Sequence, residues 1–204
     1  MPLHRHYNRN LISNPGEKAF DQALDDLLED EDRMWHACHS VRIGRHPTKK
    51  TAEHDFVLVT REGVITVEVK GGLVGMRNGQ FAHLPDDREH FTERPFTENP
   101  LDQAQGSASA LIQWCKEKAV RDTLVTPAVA FPLCRFGYED GAYRTIWSKA
   151  TAEPLAEFLL RLLREARRTA PWARDLAPEQ QKQLVAAFTP TVMPQHHAAH
   201  LQVG

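Results

Sequence analysis

The run Glu53-His54-Asp55-Phe56-Val57-Leu58-Val59-Thr60, then Arg61-Glu62-Gly63, then Val64-Ile65-Thr66-Val67-Glu68-Val69-Lys70 sets two apolar, β-branched stretches either side of a short turn. Such stretches read as the two strands of a β-hairpin. Both are apolar on both faces, as in strands covered from two sides. Charge interrupts this pattern at three places. Asp55 opens the first strand, and Glu68 and Lys70 share one face of the second, because side chains alternate along a strand. With Glu62-Gly63 as a two-residue loop, Asp55 falls opposite Lys70 and Glu68 lies diagonal to it, roughly 7–8 Å away. Burying unpaired charge is unfavourable. A divalent cation held by the two acids would relieve it.

Outward from the hairpin, the chain alternates helices and strands. Asn14 is a good N-cap, Pro15 suits the first helical position, and Glu17 lies three residues after the cap. A helix is expected from Pro15 to about Glu29, with Phe20, Leu24, Leu27 and Leu28 on one face. Its acidic end opposes the helix dipole and favours an early stop. Residues 1–13 read as an irregular lead-in. Trp35 to Arg45 reads as a strand and His46 to Lys50 as a loop. Leu73 to Leu84 reads as a two-stranded ribbon turning at Asn78-Gly79. Pro85 to Glu98 reads as a loop over the site.

Asn99 and Pro100 open a second helix running to about Lys118. A strand is expected over Thr123–Leu133, a turn at Gly137–Gly141 and a short strand over Tyr143–Ser148. Amphipathic helices follow over Glu153–Arg168 and Pro178–Phe188. The arginines Arg161, Arg164, Arg167 and Arg168 line the first of these. Residues 1–150 are thus expected to form the core, 151–190 a helical extension and 191–204 a disordered tail. Periodicity alone supports a mixed α/β domain.

Four islands resemble one family. They are Asn14-Pro15-Gly16-Glu17, Asp55, Glu68-Val69-Lys70 with Gly71-Gly72, and Asn99-Pro100-Leu101-Asp102-Gln103. Their order and spacing resemble the PD-(D/E)xK nuclease superfamily, and more specifically its nuclease-related domain (NERD) family. The resemblance covers roughly residues 8–135. One departure is His54, where the family usually has an aliphatic residue, and it touches no metal ligand.

The resemblance implies a restriction-endonuclease-like αβββαβ core, a mixed β-sheet flanked by helices, with extra C-terminal helices. It implies a metal-dependent nuclease acting on nucleic acid, most readily DNA. Mg²⁺ or Mn²⁺ would sit on Asp55, Glu68 and the Val69 carbonyl. Lys70 would position or deprotonate the attacking water. Glu17 would reach the metal, often through water, although its position also explains it as a capping-box acid. Gln103 would hold Lys70 or the phosphate, near a helix N-terminus that attracts anions. A helicase or another DNA-processing partner is implied for such domains. The alternative is a nucleic-acid-binding module with little or no catalysis. A third is a helper protein docking through its arginine-bearing helix 153–168 and its last helix.

Bulk properties constrain these alternatives. A hydrophobic fraction of 41% with 25% charged residues fits a globular domain. A net charge of −2 argues against tight, indiscriminate grip on phosphates. Arg42, Arg45, Lys49 and Lys50 form a local basic cluster that would contact nucleic acid. The first residues lack an apolar signal core, and three widely spaced cysteines fit neither a disulfide framework nor a zinc site. A cytoplasmic protein with free buried thiols is expected. His36, His39, His46 and His54 show no ligand spacing, and His196, His197 and His200 lie in the tail. No Gly-x-Ser-x-Gly elbow or Walker loop is present.

Overall fold

The structure, a computed structural model, describes residues 3–29, 34–44, 51–77, 79–84, 94–118, 120–134, 143–149 and 153–189. Its elements are β1 (His4–Arg5), α1 (Pro15–Ala23), β2 (His36–Gly44), β3 (Thr51–Val59), β4 (Val64–Val69), β5 (Val74–Arg77), β6 (Gln80–His83), β7 (Arg94–Pro95), α2 (Pro100–Glu117), β8 (Val125–Phe131), β9 (Ile146–Ser148), α3 (Leu155–Thr169) and α4 (Pro178–Phe188). The order α1-β2-β3-β4-α2-β8 is the expected αβββαβ sequence. The expected turn at 137–141, the loop at 46–50, most of the loop after Pro85 and the tail lie outside the described residues.

A six-stranded sheet runs in the order β1-β2-β3-β4-β8-β9. β2, β3 and β4 pair antiparallel, whereas β8 lies parallel to β4 and β9 parallel to β8. The parallel step from β4 to β8 is bridged by α2, as a parallel connection requires a crossover. All six residues of β4 are buried. One face of the sheet packs Phe56, Ile65 and Val67 against Phe20 of α1 and Phe158 and Leu162 of α3. The other packs Val57, Val59 and Val64 against Leu111 of α2 and Leu184 of α4. Fully burying one such aliphatic or aromatic side chain contributes roughly 1.5–3 kcal/mol. Those gains let the sheet tolerate buried charge at one end.

The hairpin register differs from the sequence expectation. Phe56 pairs with Val67 and Val59 with Val64, leaving a four-residue loop at 60–63. Continued by one step, this register sets Asp55 across from Glu68 rather than Lys70. The cause is Thr60. Its hydroxyl accepts from the Glu62 N–H (3.1 Å) and donates to the Gly63 carbonyl (3.2 Å), closing a wider turn.

The expectation of an irregular N-terminal lead-in also needs correction, whereas the expected early stop of the first helix is seen. The lead-in is partly ordered as β1, parallel to β2, followed by a 3₁₀ turn at Arg9–Leu11. Arg5 fastens it by donating to Asp21 (2.8 Å) and Asp25 (2.6 Å), and Arg9 and Tyr7 also reach Asp21. The first α-helix stops at Ala23 and tightens to a 3₁₀ helix over Leu24–Glu29. Asp25 and Asp26 at the negative end of the dipole disfavour its continuation.

The ribbon after Gly72 is three-stranded, because β7 adds to β5 and β6. Val74 and Phe81 pack it on Ala104, Val129 and Phe131. It therefore stands beside the carboxyl ends of β4 and β8, where open parallel segments place their sites.

Candidate active site

The site forms where β4 leaves β3. Past Phe56 and Val67, the Asp55 carboxylate takes over the ladder, its Oδ2 accepting the Val69 N–H at 2.7 Å. One residue either side of Val69, Glu68 and Lys70 project into the same cleft. The Lys70 ammonium donates to Glu68 Oε1 (2.6 Å) and to Gln103 Oε1 (2.8 Å). Gln103 is placed by α2, whose N-cap Asn99 accepts from the Leu101 N–H at 2.9 Å, with Pro100 at the first position.

Glu17 comes from the first turn of α1. Asn14 Oδ1 caps that turn by accepting from Gly16 N–H (2.8 Å) and Glu17 N–H (3.3 Å). The Glu17 carboxylate meets His39 of β2, with Oε2 2.6 Å from Nε2. Asn14 is the N-cap as expected, and the Glu17 carboxylate, weighed as a capping-box acid, meets His39. Gly16 explains how the helix comes so close. A Cβ there would lie 2.6 Å from the Gly71 Cα, so the helix start rests on the backbone just after Lys70.

These residues line a cleft of about 510 Å³ with Gly72 and His83. Glu68 is 4% exposed. Burial, then the nearby Asp55 charge, push its carboxyl up to about 7 against the pull of Lys70. Asp55 is raised too, by burial first and then by Glu17, although the Val69 N–H favours its ionised form. Burial is the larger cause for both acids, with their mutual repulsion and Glu17 adding to it. His83, near Lys70 and Arg94, is held below its ordinary value, mainly by burial.

The donor set can be tested against a metal. Among the described residues no three His, Cys, Asp or Glu side chains are gathered as a ready metal cluster. What converges is the carboxylate pair Asp55 and Glu68. Mg²⁺ usually takes one or two carboxylates and fills its octahedron with water and phosphate oxygen. A pair of hard oxygen donors fits such an ion.

Of the residues singled out from sequence, Asp55, Glu68, Val69, Lys70, Glu17 and Gln103 meet in this cleft. Arg42 does not line it. That side chain is exposed and pairs with Glu53 at 3.3 Å. Arg45, Lys49 and Lys50 lie outside the described residues. Cys38, Cys115 and Cys134 are free and buried. Burial pushes Cys38 up to about 11 and Cys115 to about 12, which removes them as nucleophiles. Sequence reasoning missed His39 and His83. Neither carries a local signal, since one is joined to Glu17 across 22 positions and the other arrives on the ribbon. His54 is buried at 1% exposure, filling the place an aliphatic residue would take.

A mixed sheet flanked by helices, with acids and a lysine at the carboxyl end of a central strand, defines a nuclease-like α/β protein. The nuclease-related domain (NERD) family matches residues 12–132, more than half of the chain, and the chain belongs to that family. No curated protein and no solved structure matches it significantly. Among the described residues no helix is long and apolar enough to cross a membrane.

Proposed function

We propose that this protein is a metal-dependent nuclease that hydrolyses phosphodiester bonds of nucleic acid, with DNA as the preferred substrate. The observation that carries this reading is the meeting of Asp55, Glu68, Lys70 and Gln103 in one cleft from three separate elements. Asp55 and Glu68, with the Val69 carbonyl, would hold Mg²⁺ or Mn²⁺, which when bound supplies charge stabilisation at the phosphate and a more acidic water.

The chain's own groups do the rest. An ammonium has three N–H donors, and Lys70 commits two of them to Glu68 and Gln103. The third meets no partner among the described residues, and it would reach the attacking water or a phosphate oxygen and offset developing negative charge. Gln103 and Glu68 fix its direction, so no reorganisation is needed as the charge develops. Glu17, steadied by His39, would add a further acceptor for water in the same cleft.

A second reading, a nucleic-acid-binding module without catalysis, is favoured by the lack of a ready three-ligand cluster among the described residues. The experiment that separates them is a panel of labelled single-stranded, duplex and branched DNA and RNA, incubated with Mg²⁺, Mn²⁺ or EDTA. Metal-dependent cleavage of any member supports the nuclease. Retention of every substrate intact, with binding that persists in EDTA, supports the module.

A further inference from the structure

The sheet end far from the cleft carries a second charged surface. Arg167 of α3 is locked there, donating to the Glu62 carbonyl (2.9 Å), to Asp175 (2.8 Å) and to the Ala173 carbonyl. Arg164 and Arg168 stand exposed beside it. Among the described residues neither has a carboxylate partner, and Arg164 donates only to the Leu160 carbonyl of its own helix. Like charges at i and i+4 slightly disfavour a helix, and a bound anion would relieve that repulsion. The three arginines border a cleft of about 480 Å³ that also holds Glu62 and Asp175, the latter paired with Arg167, and whose apolar wall is Leu160 and Leu163.

A second observation points to the kind of anion. Trp172, in the turn directly after α3, is 57% exposed. It lies in sequence between Arg168 and Arg174, whose side chain is 83% exposed and lies 3.8 Å from the Asp122 carboxylate. Exposed aromatic faces interleaved with arginines are what single-stranded nucleic acid requires, with stacking for bases and charge for phosphates. An acidic peptide would use the arginines but leave the indole without a role.

From these exposed side chains, close in sequence at the end of α3, we infer that Arg164, Arg168 and Trp172 form a binding surface for single-stranded nucleic acid, separate from the cleavage cleft. The arginines take backbone phosphates and the indole stacks on a base. The surface lies about 20 Å from Glu68 by the rise of the β3–β4 hairpin. It would hold the substrate strand several nucleotides from the scissile bond. The inference rests on nucleic acid being the substrate but not on the metal or on Asp55.

The test is fluorescence anisotropy of a labelled oligothymidylate with the full chain in EDTA, across a salt series. The double variant Arg164→Ala/Arg168→Ala is expected to flatten the slope of log affinity against log salt by about 1.4, the loss of two single-strand phosphate contacts. Trp172→Ala is expected to weaken binding roughly five- to 150-fold with the salt slope unchanged. The assay reads binding in EDTA, so a failure of the parent to cleave leaves this result standing. All three changes lie at exposed or cleft positions, and unchanged melting temperatures confirm the fold. The inference is overturned if the arginine and tryptophan variants bind with the parent's affinity and slope. It is also overturned if polyglutamate competes as well as the oligonucleotide.

Discussion

Lys70 Nζ donates to Gln103 Oε1 at 2.8 Å, joining the end of β4 to the first turn of α2 across 33 positions of sequence. With Glu68 on the other side, this bond sets where the ammonium points. Gln103→Ala should therefore leave the lysine in place but unaimed. A hydrogen bond to a charged group is worth about 1.5–3 kcal/mol. Turnover of a labelled substrate should fall roughly ten- to 100-fold, mostly in kcat, because the loss is felt as charge develops. An equal kcat with a raised KM would instead assign Gln103 to substrate binding.

Glu68 links pH to stability. Its carboxyl is raised to about 7 in the folded protein, so the native state holds a proton that the unfolded chain has released. The contribution is fully present below the ordinary glutamate range and is lost as pH rises through about 7. In EDTA, Glu68→Gln should melt close to the parent at pH 5 and above it at pH 8. Added Mn²⁺ should raise the parent's melting temperature more at pH 8 than at pH 5, and the variant's little at either. A parent that gains stability relative to Glu68→Gln on going from pH 5 to pH 8 without metal would contradict this account of the site.

Gly16 has no room for a side chain. A Cβ there meets the Gly71 Cα at 2.6 Å and its nitrogen at 2.9 Å, both backbone atoms. Gly16→Ala must push α1 away from the segment that carries Lys70. Overpacking of this kind costs about 1–3 kcal/mol, equivalent to roughly 2–12 °C in melting temperature for a chain of this size. At Gly71 the nearest meeting is with the Asn14 side chain at 3.2 Å, so Gly71→Ala should be milder. Thermal melts of the two variants side by side test the order.

His39 is expected to hold Glu17 rather than to react. His39→Gln keeps a donor for the carboxylate and should retain most of the turnover, whereas His39→Ala should lose it by roughly tenfold. Equal turnover in both variants would remove Glu17 from the working site.

The sequence makes the site legible where chemistry is local. Asp55 and Glu68-Val69-Lys70 stand out because charge breaks an apolar strand pattern, and Asn14-Pro15 and Asn99-Pro100 because helix starts obey capping rules. The register was misread because the bonding capacity of Thr60 widens the turn, which a pairing of Glu62 with Gly63 hides. His39 and His83 escaped for another reason. Their roles depend on which strands lie beside α1 and β4, and no spacing in the chain records that. β1 and β7, at two residues each, are too short to show any periodicity.

The most direct measurement is Mn²⁺-dependent cleavage of labelled DNA by the parent and by Asp55→Asn, a change that keeps the shape while removing one carboxylate charge. The parent should cut with Mn²⁺ and stop in EDTA, and the variant should be slower by roughly 100-fold or more. Cleavage by Asp55→Asn at the parent's rate, or parental cutting that persists in EDTA, would contradict the proposed chemistry.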